Sequence, residues 1–220
     1  MMTRPESVIA IAVLVAAFAS VGTAANAAQS PITFTYVGDS TTAGGPTAPR
    51  AWLQQWRYPD EVSTGGVAIH GYSSAEILPL VRPNHSDVLV VSIGINDFQR
   101  PGVDRLKKLE ANVAEIVSTV GARRVLVLAL APSDATNWTS HGLSQNLRLA
   151  QNAANRALRT EAARNGWTFV DPFAPIRAAS GGYIASVWSS DRIHPTPAGY
   201  AIEAGIIHRA ILRMAAGPLQ

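Results

Sequence analysis

Two nearly unbroken runs of Val, Ile and Leu constrain the fold of this 220-residue chain most strongly. They cover Val88–Ile93 and Val125–Leu130, and such runs are typical of strands that are buried on both faces of a sheet. Strands of that kind occur in sheets covered by helices on each side. The remaining strand candidates are shorter or more polar: Ile32–Val37, Val67–Ile69 and Trp167–Val170.

Helical patterns separate these strands. Apolar residues between Leu106 and Val120 recur at i, i+3 and i+4, which predicts a helix with one buried face. The segment Leu143–Asn165 is rich in Ala and Leu and is followed by Gly166, a helix-stop signal, while a last helix is expected from Pro197 to about Met214. Strand–helix alternation with short connections predicts one three-layer α/β domain around a parallel sheet of about five strands.

The first 27 residues have the pattern of a secretory signal peptide. A charged start is followed by an apolar run of twelve residues, Val8 to Ala19, and by small residues that end in Ala25-Asn26-Ala27. An uncleaved membrane anchor is the alternative, but a spanning helix needs roughly 20 apolar residues. We therefore expect cleavage after Ala27 or Ala28, a mature domain over residues 28–220 without a membrane span, and a secreted or cell-envelope location.

Composition excludes several classes of site. The chain has no cysteine, so disulfides, thiolate metal sites and a cysteine nucleophile are impossible. The net charge is +3 and the isoelectric point is about 9.6, yet no basic run exceeds a pair, and no nucleic-acid-binding stripe is expected. The sequence has no phosphate-binding loop, no dinucleotide fingerprint and no histidine pattern typical of metal ligation, so it predicts neither a metal nor a cofactor.

Polar motifs follow the predicted strands at the sheet edge where ligands bind in open α/β sheets. Gly38-Asp39-Ser40 follows the first strand, Gly94-Ile95-Asn96-Asp97 follows the third, and Asp191-Arg192-Ile193-His194 precedes the last helix. A serine hydroxyl needs a base within hydrogen-bond reach to become a nucleophile. Ser40, His194 and Asp191 therefore form a candidate nucleophile, base and orienting carboxylate.

These three motifs, in this order, resemble the blocks of the SGNH (GDSL) hydrolase family of esterases and lipases. The resemblance spans residues 32 to about 206 and implies a flavodoxin-like α/β/α fold. It also implies an oxyanion hole formed by the Ser40 N–H, the Asn96 side-chain amide and an N–H after the second strand. The family has glycine at that last position, whereas this chain has Ser74, with Gly71 as the alternative.

The predicted function is that of an exported serine esterase that cleaves an acyl ester through an acyl-Ser40 intermediate. A polysaccharide O-acetyl esterase of the same fold is the first alternative. Because Ser74 departs from the family pattern, a catalytically impaired module that binds carbohydrate or lipid is the second. Small-molecule, lipid and glycan esters all remain as substrates, and Trp138 and Trp188 are candidates for substrate contact. Asp171, after the fifth strand, is a rival for the orienting carboxylate.

Overall fold

A central five-stranded parallel sheet organises the domain. The described residues contain seven strands: β1 (Ile32–Gly38), β2 (Glu61–Ala68), β3 (Val88–Ser92), β4 (Arg124–Leu128), β5 (Trp138–Ser140), β6 (Leu143–Gln145) and β7 (Thr168–Val170). Five of them pair in the order β2-β1-β3-β4-β7, all parallel. The prediction of a layered α/β fold with a five-stranded parallel sheet is confirmed.

This computed structural model describes residues 30–45, 50–99, 103–134, 138–140, 143–145, 147–189 and 191–217, and at 138–140, 143–145 and Leu147 it describes the backbone alone. Contacts divide the chain into two units, Met1–Ser30 and Pro31–Gln220, and the sheet with its helices belongs to the second unit. The predicted signal segment, residues 1–27, lies outside the described residues. Within the described part of the chain, no helix is long and apolar enough to cross a membrane.

In the described ranges, five α-helices cover the sheet or follow its strands. They are α1 (Ser40–Ala43), α2 (Ser74–Ile77), α3 (Arg105–Val120), α4 (Leu147–Arg164) and α5 (Pro197–Ala216). On one face, buried side chains of α3 and α4 pack against the sheet, and on the other face α5 and Trp52 do so. The flavodoxin-like arrangement of helices on both faces is the one that the family resemblance implies.

Alternation along β3 explains why its first four residues are all apolar. Leu89 and Val91 belong to the core on the α3 and α4 face, whereas Val88 and Val90 belong to the core on the α5 face. All five residues of the strand are buried. A strand between two helical layers therefore needs apolar side chains on both of its faces.

Two elements differ from the sequence prediction. β2 spans eight residues rather than the expected three, because it is an edge strand whose exposed Ser63 and Thr64 break the apolar pattern. The helix expected from Leu143 begins at Leu147. The three residues from Leu143 instead pair antiparallel with Trp138–Ser140. Pairing with a neighbouring segment therefore overrides local helix propensity here.

Candidate active site

The chain turns sharply from β1 into α1 and places Ser40 at the first helical position. Asp39 is the N-cap of α1, and its Oδ1 accepts hydrogen bonds from the Thr41 N–H at 3.0 Å and the Thr41 hydroxyl at 2.9 Å. A Cβ on Gly38 would lie 2.2 Å from the Thr42 hydroxyl oxygen. Only glycine at position 38 therefore allows the first turn of α1 to pack so closely against the end of β1.

Ser40, His194 and Asp191 form one continuous hydrogen-bonded chain. The Ser40 Oγ lies 2.9 Å from His194 Nε2, and His194 Nδ1 lies 2.7 Å from Asp191 Oδ2. A carboxylate can only accept at Nδ1, so Nδ1 carries the proton and Nε2 is the acceptor that faces the serine hydroxyl. Ser40 is 3% exposed and His194 is 9% exposed, so the pair is largely shielded from water.

The loop that carries Asp191 and His194 is tied to itself and to its surroundings. Asp191 Oδ1 accepts from the backbone N–H groups of Ile193 at 3.0 Å and His194 at 2.7 Å. Arg192, between them, has a φ of 72°, a left-handed conformation that these contacts hold in place. The Tyr183 hydroxyl donates to the Ile193 carbonyl at 2.9 Å. The imidazole is therefore aimed at Ser40 by a rigid loop.

The same hydrogen bonds set the charge of the orienting carboxylate. Partial burial by itself raises the pKa of Asp191, but hydrogen bonds from the His194 N–H and side chain, the His194 charge and the Ile193 N–H outweigh it. The pKa of Asp191 consequently lies below its ordinary value. Asp191 stays ionised at neutral pH and can stabilise an imidazolium.

Asn96 lies in the helical turn after β3, the strand that neighbours β1 in the sheet. One N–H of its side-chain amide donates to the Tyr72 carbonyl at 3.0 Å, which fixes the amide plane. The second N–H of that amide is the one that an oxyanion role requires. Ser40, as the first residue of α1, has a backbone N–H with no acceptor inside the helix. The described geometry is compatible with both residues as oxyanion donors.

Ser74 lies at the first position of α2 and is completely buried. Its backbone N–H donates to Asp97 Oδ2 at 2.9 Å, its hydroxyl donates to Asp97 Oδ1, and Asn112 donates to that hydroxyl at 2.8 Å. An oxyanion would therefore have to compete with Asp97 for the Ser74 N–H. Gly71, the alternative, precedes α2 with a φ of 77°. The choice between them stays a prediction.

Two further carboxyl groups, those of Asp39 and Asp97, are buried in the segments after β1 and β3. Burial raises the pKa of Asp39 to about 6, although Thr41 hydrogen bonds and the His194 charge oppose the shift. Burial also raises the pKa of Asp97, against the hydrogen bonds from Ser74. Each carboxyl is held by backbone and hydroxyl donors rather than by a cation, which is typical of groups that order loops.

The rival carboxylate is bound to an arginine, and of the two tryptophan candidates only Trp188 has a described side chain. Asp171 accepts two hydrogen bonds from Arg177, at 2.5 and 2.9 Å, so its partner is a guanidinium and not a histidine. Trp188 is half-buried and packs against a small cluster that includes Phe173 and Tyr183. The side chain of Trp138 lies outside the described residues. Substrate contact by either tryptophan stays a prediction.

Some residues that shape the site carry no signal in the sequence. Asn112 on α3 completes the Ser74–Asp97 network, and Tyr183 supports the Asp191–His194 loop. Neither residue lies in a motif, and only the tertiary contacts reveal them. The exposed His70 ring is nearly parallel to the His194 ring, with centroids 6.1 Å apart, so it lies at the edge of the site. Among the described residues, no group of three or more His, Asp or Glu side chains is placed to hold a metal ion.

Comparisons with solved structures show the same fold. A GDSL-like lipase from Bacteroides thetaiotaomicron is 20% identical, with a TM-score of 0.62 over 82% of this chain and 88% of that chain. The aryl esterase of M. smegmatis is 15% identical, with a TM-score of 0.60 over 84% and 100%. A variant of an acetyl-xylooligosaccharide esterase from Geobacillus is 20% identical, with a TM-score of 0.55 over 86% and 96%.

A family model gives the assignment. No curated protein matches the chain. The model of the GDSL-like lipase/acylhydrolase family matches residues 36–202, which include Ser40, Asn96, Asp191 and His194. That match covers about three quarters of the sequence and includes every strand of the central sheet except the first residues of β1. The chain therefore belongs to the GDSL-like lipase/acylhydrolase family, whose members act on esters.

Proposed function

We propose that the protein is a serine esterase that cleaves its substrate through a covalent acyl-Ser40 intermediate. The observation that carries the proposal is the uninterrupted chain of Ser40, His194 and Asp191, with contacts of 2.9 and 2.7 Å, at the carboxyl end of the sheet. An exposed serine with no base is a weak nucleophile, and this arrangement supplies the base and its orienting partner.

Acylation begins when Ser40 Oγ attacks the ester carbonyl carbon and its proton passes to His194 Nε2. The Asp191 carboxylate accepts from Nδ1–H and stabilises the imidazolium that forms. The tetrahedral intermediate then collapses, the carbon–oxygen bond to the alcohol breaks, and Nε2 returns the proton to the leaving alkoxide. The alcohol departs, and the acyl group stays on Ser40.

Deacylation repeats these steps with water. His194 Nε2 takes a proton from a water molecule, the hydroxide attacks the acyl carbon, and the proton moves to Ser40 Oγ as the acid leaves. In both halves a negative charge forms on the carbonyl oxygen. The Ser40 N–H and the Asn96 amide are the donors that we assign to it, and loss of one such donor typically lowers turnover by about 10²–10³.

The test compares hydrolysis of p-nitrophenyl esters of graded chain length by the purified protein and by Ser40→Ala. We expect the variant to lose at least about 10³-fold in kcat. Ser63→Ala is a matched control, since Ser63 is an exposed serine on β2, and it should retain full activity. Undiminished hydrolysis by Ser40→Ala would overturn the proposal, and the preferred chain length in the series would identify the acyl group.

We also propose that the protein is exported and that residues 1–27 are removed. The support is the charged, apolar and small-residue pattern of that segment. Expression of the full chain in a bacterial host, followed by intact-mass measurement of the extracytoplasmic fraction, tests it. A mature form beginning at Ala28 or Gln29 is expected, whereas a full-length protein retained in the cytoplasm would contradict export.

A further inference from the structure

An arginine-lined cavity lies beyond the edge strand β7, between α4 and the segment that follows β7. Its volume is about 450 Å³, which is within the range of small-ligand sites. Asn152, Asn155, Arg156 and Arg159 line it from one face of α4. β7 and β1 are separated by three strand spacings in the sheet, or roughly 14 Å, so the cavity is distinct from the Ser40 site.

The charges around the cavity do not cancel. Three arginines line it, Arg156, Arg159 and Arg177, against one carboxylate, Asp171. Asp171 is already engaged by Arg177 through two hydrogen bonds. Among the residues that the structure describes, neither Arg156 nor Arg159 has a carboxylate partner. The cavity therefore carries two uncompensated positive charges.

The arginine side chains are positioned rather than merely exposed. The Arg177 side chain is 13% exposed and is fixed by Asp171 and by the Leu130 carbonyl, which accepts from Nη2 at 2.6 Å. Its Nη1 is buried and has no hydrogen-bond partner within the described part of the chain. The Arg159 guanidinium lies over the Phe169 ring, 4.6 Å from the centroid. These contacts hold two of the three guanidinium groups in place before any ligand arrives.

We propose that this cavity binds the anionic group, a carboxylate or a phosphate, of a small ligand. Guanidinium groups match the geometry of both anions and can bind them bidentately. The Asn152 amide and the small apolar side chains of Ala174 and Ala178 leave room for a compact polar body attached to the anion. The inference does not rest on the proposed esterase activity, because it uses none of the Ser40 site.

Isothermal titration calorimetry on the full-length Ser40→Ala protein at low ionic strength tests the proposal and excludes turnover. The probes are inorganic phosphate and glucuronate, with glucose as the uncharged control. Saturable, salt-sensitive binding of at least one anion is expected, with no binding of glucose. The anion that binds more tightly shows whether the anionic group of the ligand is a phosphate or a carboxylate.

Single substitutions locate the binding. Arg156→Gln and Arg159→Gln are each expected to weaken binding by at least about five-fold, the effect of one lost charged hydrogen bond. Arg164→Gln removes one positive charge from the same helix outside the cavity and should stay within about two-fold. All three positions are exposed and glutamine is a good helix former, so the fold is preserved. No saturable binding, equal binding of glucose, or equal weakening in Arg164→Gln would overturn the proposal.

Discussion

The described part of the domain contains two histidine–carboxylate pairs of nearly the same geometry in two different regions. His194 Nδ1 lies 2.7 Å from Asp191, and His208 Nδ1 lies 2.8 and 2.9 Å from the two carboxylate oxygens of Glu61. The first pair is at the carboxyl end of the sheet beside Ser40. The second pair joins the first residue of β2 to the middle of α5, near the amino end of the sheet.

The two pairs differ in the groups that contact the rest of each imidazole ring. The His194 Nε2 lies 2.9 Å from the Ser40 hydroxyl. The His208 ring instead stacks on Tyr58, with centroids 3.8 Å apart and planes 2° from parallel. A histidine–carboxylate contact is therefore not sufficient to indicate a catalytic role, and the serine hydroxyl at the second nitrogen is what distinguishes the His194 pair.

The two carboxylates also differ in their electrostatics. Asp191 receives two backbone N–H donors in addition to His194, and its pKa lies below the ordinary value. The Glu61 side chain is completely buried, and burial raises its pKa although the hydrogen bond from His208 opposes the shift. The larger number of hydrogen-bond donors around Asp191 thus favours its ionised form more strongly than the single histidine favours that of Glu61.

The largest predicted effect concerns the two histidines. His194→Gln should lower kcat/KM for a p-nitrophenyl ester by about 10³-fold or more, because Ser40 loses its base. His208→Gln should leave kcat/KM within about three-fold but lower the free energy of unfolding by about 1–3 kcal/mol, because the buried Glu61 loses its partner. Ester kinetics and urea unfolding on both variants check this. Similar losses of activity in the two variants would contradict the assignment of a catalytic role to His194 and a structural role to His208.

A smaller effect is expected for the two carboxylates. Asp191→Asn should lower kcat by about 10²–10⁴-fold, since an amide does not stabilise the imidazolium or hold the required tautomer. Glu61→Gln removes the other carboxylate and serves as the matched control, with activity expected within about three-fold. Steady-state kinetics on the pair is the measurement. If Glu61→Gln proved as inactive as Asp191→Asn, catalysis would depend on both pairs.

The smallest effect concerns the pH dependence of stability, and the two carboxylates should act with opposite sign. The raised pKa of Glu61 gives stability that is complete below its ordinary value of 4.5 and is lost as the pH rises through the folded-state value. The lowered pKa of Asp191 gives stability that is complete above 3.8 and is lost as the pH falls through its folded-state value.

Urea unfolding between pH 3 and 7 measures both contributions. Glu61→Gln should reduce the loss of stability as the pH increases above 4.5, whereas Asp191→Asn should reduce the loss as the pH decreases below 3.8. Both variants bring a side chain that does not titrate, so each difference from the unmodified protein isolates one group. A change of the same sign in the two variants would show that the environments of the two pairs are alike.

The sequence predicts the parts of this molecule that depend on local patterns. The apolar runs at β3 and β4 and the three polar motifs each lie within a few residues, so pattern and spacing are sufficient to find them. β2 is longer than its apolar pattern because it is an edge strand with exposed Ser63 and Thr64. The predicted helix begins later than expected because the pairing of β6 with β5 overrides the helix propensity of Leu143–Gln145.

Contacts between distant residues lie beyond the reach of local patterns. Glu61 and His208 are 147 positions apart, and nothing near either residue indicates the other. The Asp97 hydrogen bonds to Ser74 likewise join the segments after two different strands. That network determines which group the Ser74 N–H donates to, and it depends on side-chain placement that no single motif carries.

Covalent labelling tests the central claim most directly. The protein is treated with an alkyl fluorophosphonate, which phosphonylates activated serines, and the modified peptide is identified by mass spectrometry. A single adduct on the peptide containing Ser40 is predicted for the unmodified protein and for His208→Gln, and no adduct for Ser40→Ala. Labelling at another serine, or ester hydrolysis that persists with no label on Ser40, would contradict the assignment of Ser40 as the nucleophile.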